Sequence, residues 1–117
     1  MVDSLNLEGK IVSSVIKFAT EQRKMYVVKG NDFQDRRVIR IEIGEYDINA
    51  ERMADSFRHV IHLKNSKICD QSTMHVSDNG NIRKLYIEFI EYMNSQNVKL
   101  KNDFKEVWAS SPRKYPL

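Results

Sequence analysis

RMADSFRHVIHL, residues 52–63, is the stretch on which the fold turns. Read with the residues before it, DINAERMADSFRHVIHL (47–63) places Ala50, Met53, Ala54, Phe57, Val60 and Ile61 at the i, i+3, i+4, i+7 spacing of one helix face. Asp47 or Asn49 suits the cap of such a helix, and Glu51 suits its first turn. Asn65-Ser66-Lys67 then ends it. The pattern predicts a helix, with His59 and His62 falling between the apolar rows at its flank.

The segments on either side set the rest. KIVSSVIKFA (10–19) is rich in β-branched residues and reads as a strand, with Val12, Ile16 and Phe18 on one face. Its competitor is a helix over 8–25, because Ile11, Val15 and Phe18 also match helical spacing. KMYVVK (24–29) reads as a second strand and GNDFQD (30–35) as a loop. RRVIRIEIGEY (36–46) alternates cleanly: Ile39, Ile41 and Ile43 face one way, Val38, Arg40 and Glu42 the other. Residues 68–80 form a connector with room for a short strand at 73–76. NIRKLYIEFIEYM (81–93) is strongly helical, with Ile82, Leu85, Tyr86, Phe89, Ile90 and Met93 on one face. VKLKNDFKEVWASS (98–111) fits a third helix, and Pro112 and Pro116 hold the end extended.

Strands followed by helices predict an α+β domain: an antiparallel three- to four-stranded sheet, then two or three helices packed on one face. The expected organisation is a single domain over 1–96, with a basic C-terminal helix and tail at 97–117 packed on it. The order strand–strand–strand–helix over residues 8–67, ending in ADSFRHVIHLKNSK (54–67), resembles small bacterial domains whose pleckstrin-homology-like sheet is closed by a helix. That resemblance implies binding of peptides, proteins or lipid headgroups.

Composition narrows the function classes. The 117 residues carry 41% hydrophobic and 30% charged side chains, with 4 Gly and 2 Pro, as an ordered globular domain does. No apolar run reaches the length of a membrane span, and MVDSLNLEGK (1–10) lacks the apolar segment of a secretory signal. The single cysteine, Cys69, permits no internal disulfide, so a cytoplasmic setting is expected. The net charge of +3 falls entirely after residue 96, where Lys99, Lys101, Lys105, Arg113 and Lys114 face Asp103 and Glu106.

Four candidate chemistries follow. His59, His62, Cys69 and His75 are zinc-type donors within 17 residues, yet no close pair such as Cys-x2-Cys frames them. The simpler reading places His59 and His62 at the surface or boundary of a core-facing helix and takes Cys69 as a small buried thiol, and no metal or cofactor is expected. Catalysis has no complete constellation: Gly30, Gly44 and Gly80 are isolated, and Glu42, Glu45 and Asp47 read as a solvated acidic loop. Arg36, Arg37 and Arg40, with Lys99, Lys101 and Lys105 in the tail, form a candidate nucleic-acid surface. Leu100, Phe104, Val107, Trp108 and Tyr115 offer an apolar stripe for a protein partner or a second copy. The expected function is a non-enzymatic protein-binding or regulatory module, a small inhibitor or adaptor, with nucleic-acid binding as the alternative.

Overall fold

The computed structural model describes residues 4–75 and 80–102. Its first element is α1 (Ser4–Glu21), which contradicts the strand reading of 10–19. The helical competitor prevails because Ile11, Val15, Phe18 and Ala19 make one stripe that is buried against the sheet. Val12 and Ile16, placed beside Phe18 by the strand reading, are instead half-buried and exposed. A Schellman motif ends α1. Lys24 N–H reaches Ala19 O and Arg23 N–H reaches Thr20 O, with Arg23 at a left-handed φ of 58°.

Four strands follow as an antiparallel meander in the order β1-β2-β3-β4: β1 (Met25–Phe33), β2 (Arg36–Asp47), β3 (Arg52–Lys64) and β4 (Lys67–His75). The loop expected over 30–35 shrinks to Gln34-Asp35, with Gln34 at φ 56° in the tight turn. The helix predicted for 47–63 is overturned, since 52–64 is strand β3. Phe57, His59, Ile61 and Leu63 all point into the core at period two, while Val60 lies on the opposite face. The Asp47 carboxylate makes the bonds of a helix cap, accepting from the N–H groups of Asn49 and Ala50 at 2.9 and 3.2 Å. Here the same chemistry closes a turn between two strands. Asn65 and Ser66, read as a helix end, both carry positive φ (53° and 66°), as a two-residue type I′ hairpin demands. The connector expected over 68–80 is strand β4 as far as His75, longer than the short strand expected at 73–76.

After this comes α2 (Gly80–Ser95), with all six expected apolar residues buried. It too ends in a Schellman motif, around Asn97 at φ 66°, which directs Val98 back into the core. The molecule is thus α+β, but a helix precedes the sheet as well as following it. Both helices lie on one face, where Ile39, Ile41 and Ile43 of β2 and Phe57, Ile61 and Leu63 of β3 meet them. Phe57 stacks at 5.4 Å on Tyr86 and 5.2 Å on Phe89, and Phe18 reaches Phe89 at 5.6 Å. The third helix expected over 98–111 begins in residues 98–102, which are not helical, and otherwise lies outside the described residues. Among the described residues, no helix is long and apolar enough to cross a membrane.

Candidate functional sites: a buried polar relay, the open sheet face and the β1 edge

The strand geometry separates the histidines. On a helix, residues 59 and 62 would be neighbours; on a strand, they face opposite sides of the sheet. His59 is fully buried under the helices. In the neutral ring its surroundings select one tautomer. Gln71 Oε1 accepts from the Lys101 backbone N–H at 2.9 Å, so this atom is an acceptor and His59 Nε2, also 2.9 Å away, donates to it. His59 Nδ1 therefore accepts from the Thr73 hydroxyl at 2.9 Å, and Thr73 Oγ1 accepts in turn from the Tyr86 hydroxyl at 3.1 Å. The relay Tyr86–Thr73–His59–Gln71–Lys101 joins α2, β4, β3 and the segment after α2.

His62 and Cys69 do not join His59. Cys69 is exposed at the β3–β4 bulge, its Sγ 3.4 Å from the His62 carbonyl oxygen. The side chain of His75 lies outside those described. Among the described residues, no three His, Cys, Asp or Glu side chains gather as a metal cluster would require. The acidic trio is also dispersed. Glu42 accepts from Ser56 Oγ at 2.6 Å and pairs with Arg58, Glu45 pairs with Lys24, and Asp47 holds its turn.

The arginines divide as well. Arg37 lies on the helix side of the sheet, where Nε and Nη2 donate to the two Glu8 carboxylate oxygens at 2.7 and 3.2 Å. Hydrogen bonding to Glu8 raises its pKa, and the charge is committed to tying α1 to β2. The pair lies over Gly30, where an added Cβ would sit 2.6 Å from Glu8 Oε2. Arg36 and Arg40 are on the opposite, open face. There Lys29 and Arg40 are direct cross-strand partners, and Arg40 Nη1 donates to Asn31 Oδ1 at 3.2 Å. Among the described residues neither Lys29 nor Arg40 forms an ion pair. A cleft of about 300 Å³ is lined by both, by Val27 and Val60, and by Arg58 with its ion-pair partner Glu42. A second, of about 410 Å³, continues toward Tyr46, Arg52 and Met53. Lys99 and Lys101 belong to the segment held by Gln71 on the helix side, away from this face. Lys105 lies outside the described residues.

Of the apolar stripe expected to meet a partner, Leu100 is buried against the core, its N–H donating to Asn94 Oδ1 at 2.8 Å. Phe104, Val107, Trp108 and Tyr115 lie outside the described residues. A surface that the sequence reading did not single out emerges instead. Among the described residues, seven large apolar side chains are exposed, and four of them, Met25, Tyr26, Val27 and Phe33, belong to the single edge strand β1. Ile16, a fifth, sits on the α1 flank that also carries Val12 and Glu8, and Glu8 marks that flank as the one above β1. Two valines and a tyrosine in MYVVK (25–29) are the signal in the sequence; what the sequence lacks is any sign that, among the described residues, β2 is the one strand paired with β1. No family model, curated protein or solved structure matches this chain.

Proposed function

We propose that this chain is a non-enzymatic module that acts through protein contact, made along the β1 edge. The observation that carries the reading is the concentration of exposed apolar side chains on that edge. An edge strand presents a row of unpaired backbone N–H and C=O groups, and strand addition by a partner satisfies them while burying alternate side chains. β4, the other edge, is interrupted by the bulge at Cys69, which hinders pairing, whereas β1 keeps nine uninterrupted register pairs with β2. The histidine relay supports the non-enzymatic reading, since each of its members serves to join elements.

The test is capture of partners from host lysate by the tagged chain and by its Tyr26→Lys variant, washed at high salt. Proteins held by the former and lost by the latter uphold the reading. Identical protein sets on both baits reject it.

One observation favours a second reading, nucleic-acid binding on the open face. Like charges directly opposed across strands destabilise a sheet, yet Lys29 and Arg40 are so placed. A phosphate between them would relieve the repulsion. Arg36 and Arg58 share that face; Arg37 does not. A labelled oligonucleotide would bind with an affinity that falls as salt rises, by about 0.7 log units per log unit of salt for each contact. Lys29→Glu with Arg40→Glu would abolish it. Contact through β1 would be nearly salt-independent.

A further inference from the structure

Resting on the protein-contact reading, we infer that the occupant of the β1 edge is a second copy of this chain, paired antiparallel about a two-fold axis at Val28. The shape of the exposed surface selects the occupant. It has two tiers: the strand edge itself, and above it the α1 flank bearing half-buried Val12 and exposed Ile16. A lone extended peptide would complete the strand and leave Ile16 wet. A second copy supplies both a strand and an apolar helix flank at the same spacing, because a two-fold interface meets its own surface.

The register follows from charge and face. For both helices to lie on the same side of the joined sheet, paired residues must have the same facing, so the two residue numbers of each pair sum to an even number. Centring on Lys29 puts two ammonium groups opposite each other, which costs stability. Centring on Val27 leaves a shorter overlap, and centring on Gly30, with an overlap equal to that at Val28, sets the Asp32 carboxylate against Val28 and gives Lys24 no acidic partner. Centring on Val28 sets Val28 against its equivalent, Tyr26 against Gly30, and Val27 against Lys29. Lys24, just before β1 and paired with Glu45 in its own chain, then lies opposite the exposed Asp32 of the second copy, whose own contact is Arg37 at 3.4 Å, so the charges at both ends of the seam are of opposite sign. The product is a continuous eight-stranded sheet with all four helices on one side and both open faces on the other.

Sedimentation equilibrium of the purified full chain tests this, together with a cysteine trap. Expected results are a reversible monomer–dimer equilibrium, weakened at least about tenfold by Ile16→Lys, which corresponds to 1.4 kcal/mol. In a Cys69→Ser background, Val28→Cys should give a covalent dimer on oxidation with diamide. Ser72→Cys, exposed on the β4 edge, should not. Urea midpoints of every variant confirm that each is folded. A dimer trapped through residue 72 and not through 28, or one indifferent to Ile16→Lys, overturns the inference. A chain that is monomeric at every concentration also overturns it; if Tyr26→Lys still abolishes capture of host proteins, the protein-contact reading survives that failure.

Discussion

His59 shows how one residue can hide a strand. Its imidazole occupies an inward position between Phe57 and Ile61, and a polar side chain there breaks the alternation by which strands are recognised. The relay makes the position tolerable, because a buried polar group costs little once it is hydrogen-bonded. Thr73→Val, which keeps the shape and removes the hydroxyl, should lower stability by about 1–3 kcal/mol through the two bonds lost; urea denaturation measures it. Nitrogen NMR should find the His59 proton on Nε2, and a proton on Nδ1 would reverse the assigned direction of the relay. At the surface, the Lys64 ammonium, 3.0 Å from Asp35, lowers the Asp35 pKa by hydrogen bonding and charge. A carboxylate with a lowered folded-state pKa stabilises above its unfolded value and loses that contribution as pH falls through the folded one. Lys64→Met should therefore move the Asp35 titration upward, toward the ordinary carboxylate range, in a carbon-detected NMR titration.

At the scale of elements, two constraints shape the β2–β3 hairpin and the turn that follows it. A Cβ on Gly44 would lie 2.0 Å from the Asp55 carbonyl oxygen and 2.5 Å from Ser56 Cα, so the strands approach there more closely than any side chain allows. Gly44→Ala should cost about 3 kcal/mol or more, with faster amide exchange across the hairpin. Ser66→Gly should have the opposite effect. It removes the left-handed strain of the type I′ turn and gains up to about 1 kcal/mol in urea denaturation. These elements also explain which parts of the fold were legible. β2 and α2 were, because one side of each is apolar and the other wet, so a single period stands out. α1 and β3 were exchanged in type, because intrinsic preference misled where tertiary packing decides. β-branched KIVSSVI becomes a helix because its 11, 15, 18 stripe covers the sheet, and helix-spaced ADSFRHVI becomes a strand because both its faces are partly buried. The Asp47 turn could not be told from a helix cap, since both use one carboxylate to bind the same two N–H groups. For the candidate sites, Arg40 was legible as a face residue, but Arg37 was not separable from it. Adjacent strand residues diverge only once the strand is known, and the Glu8 partner lies 29 positions away.

At the scale of the whole molecule, the helices cover one side of the sheet, and among the described residues nothing covers the other side or pairs with the β1 edge. A four-stranded sheet so covered has a complete core: Phe57, Phe89, Tyr86 and Met93 are sealed, and Val98 and Leu100 close the end. The chain has no need of a partner to bury that core, so its folding and its association are separable processes linked by mass action. This gives a prediction that does not depend on any engineered cysteine. If only the folded chain self-associates, dilution removes stabilisation, and the apparent stability changes by RT ln of the occupancy term. The thermal midpoint of the native chain should therefore stay flat while monomers predominate and rise with the logarithm of protein concentration once dimers do, across a hundredfold range. Ile16→Lys and Tyr26→Lys alter exposed positions, so they should leave the low-concentration midpoint within about 0.5 kcal/mol of the parent while flattening the dependence. Calorimetry at several concentrations measures both. A native midpoint that is independent of concentration, beside variants that behave identically, would mean that the edge strand stays unpaired between copies and that its apolar side chains serve a different protein.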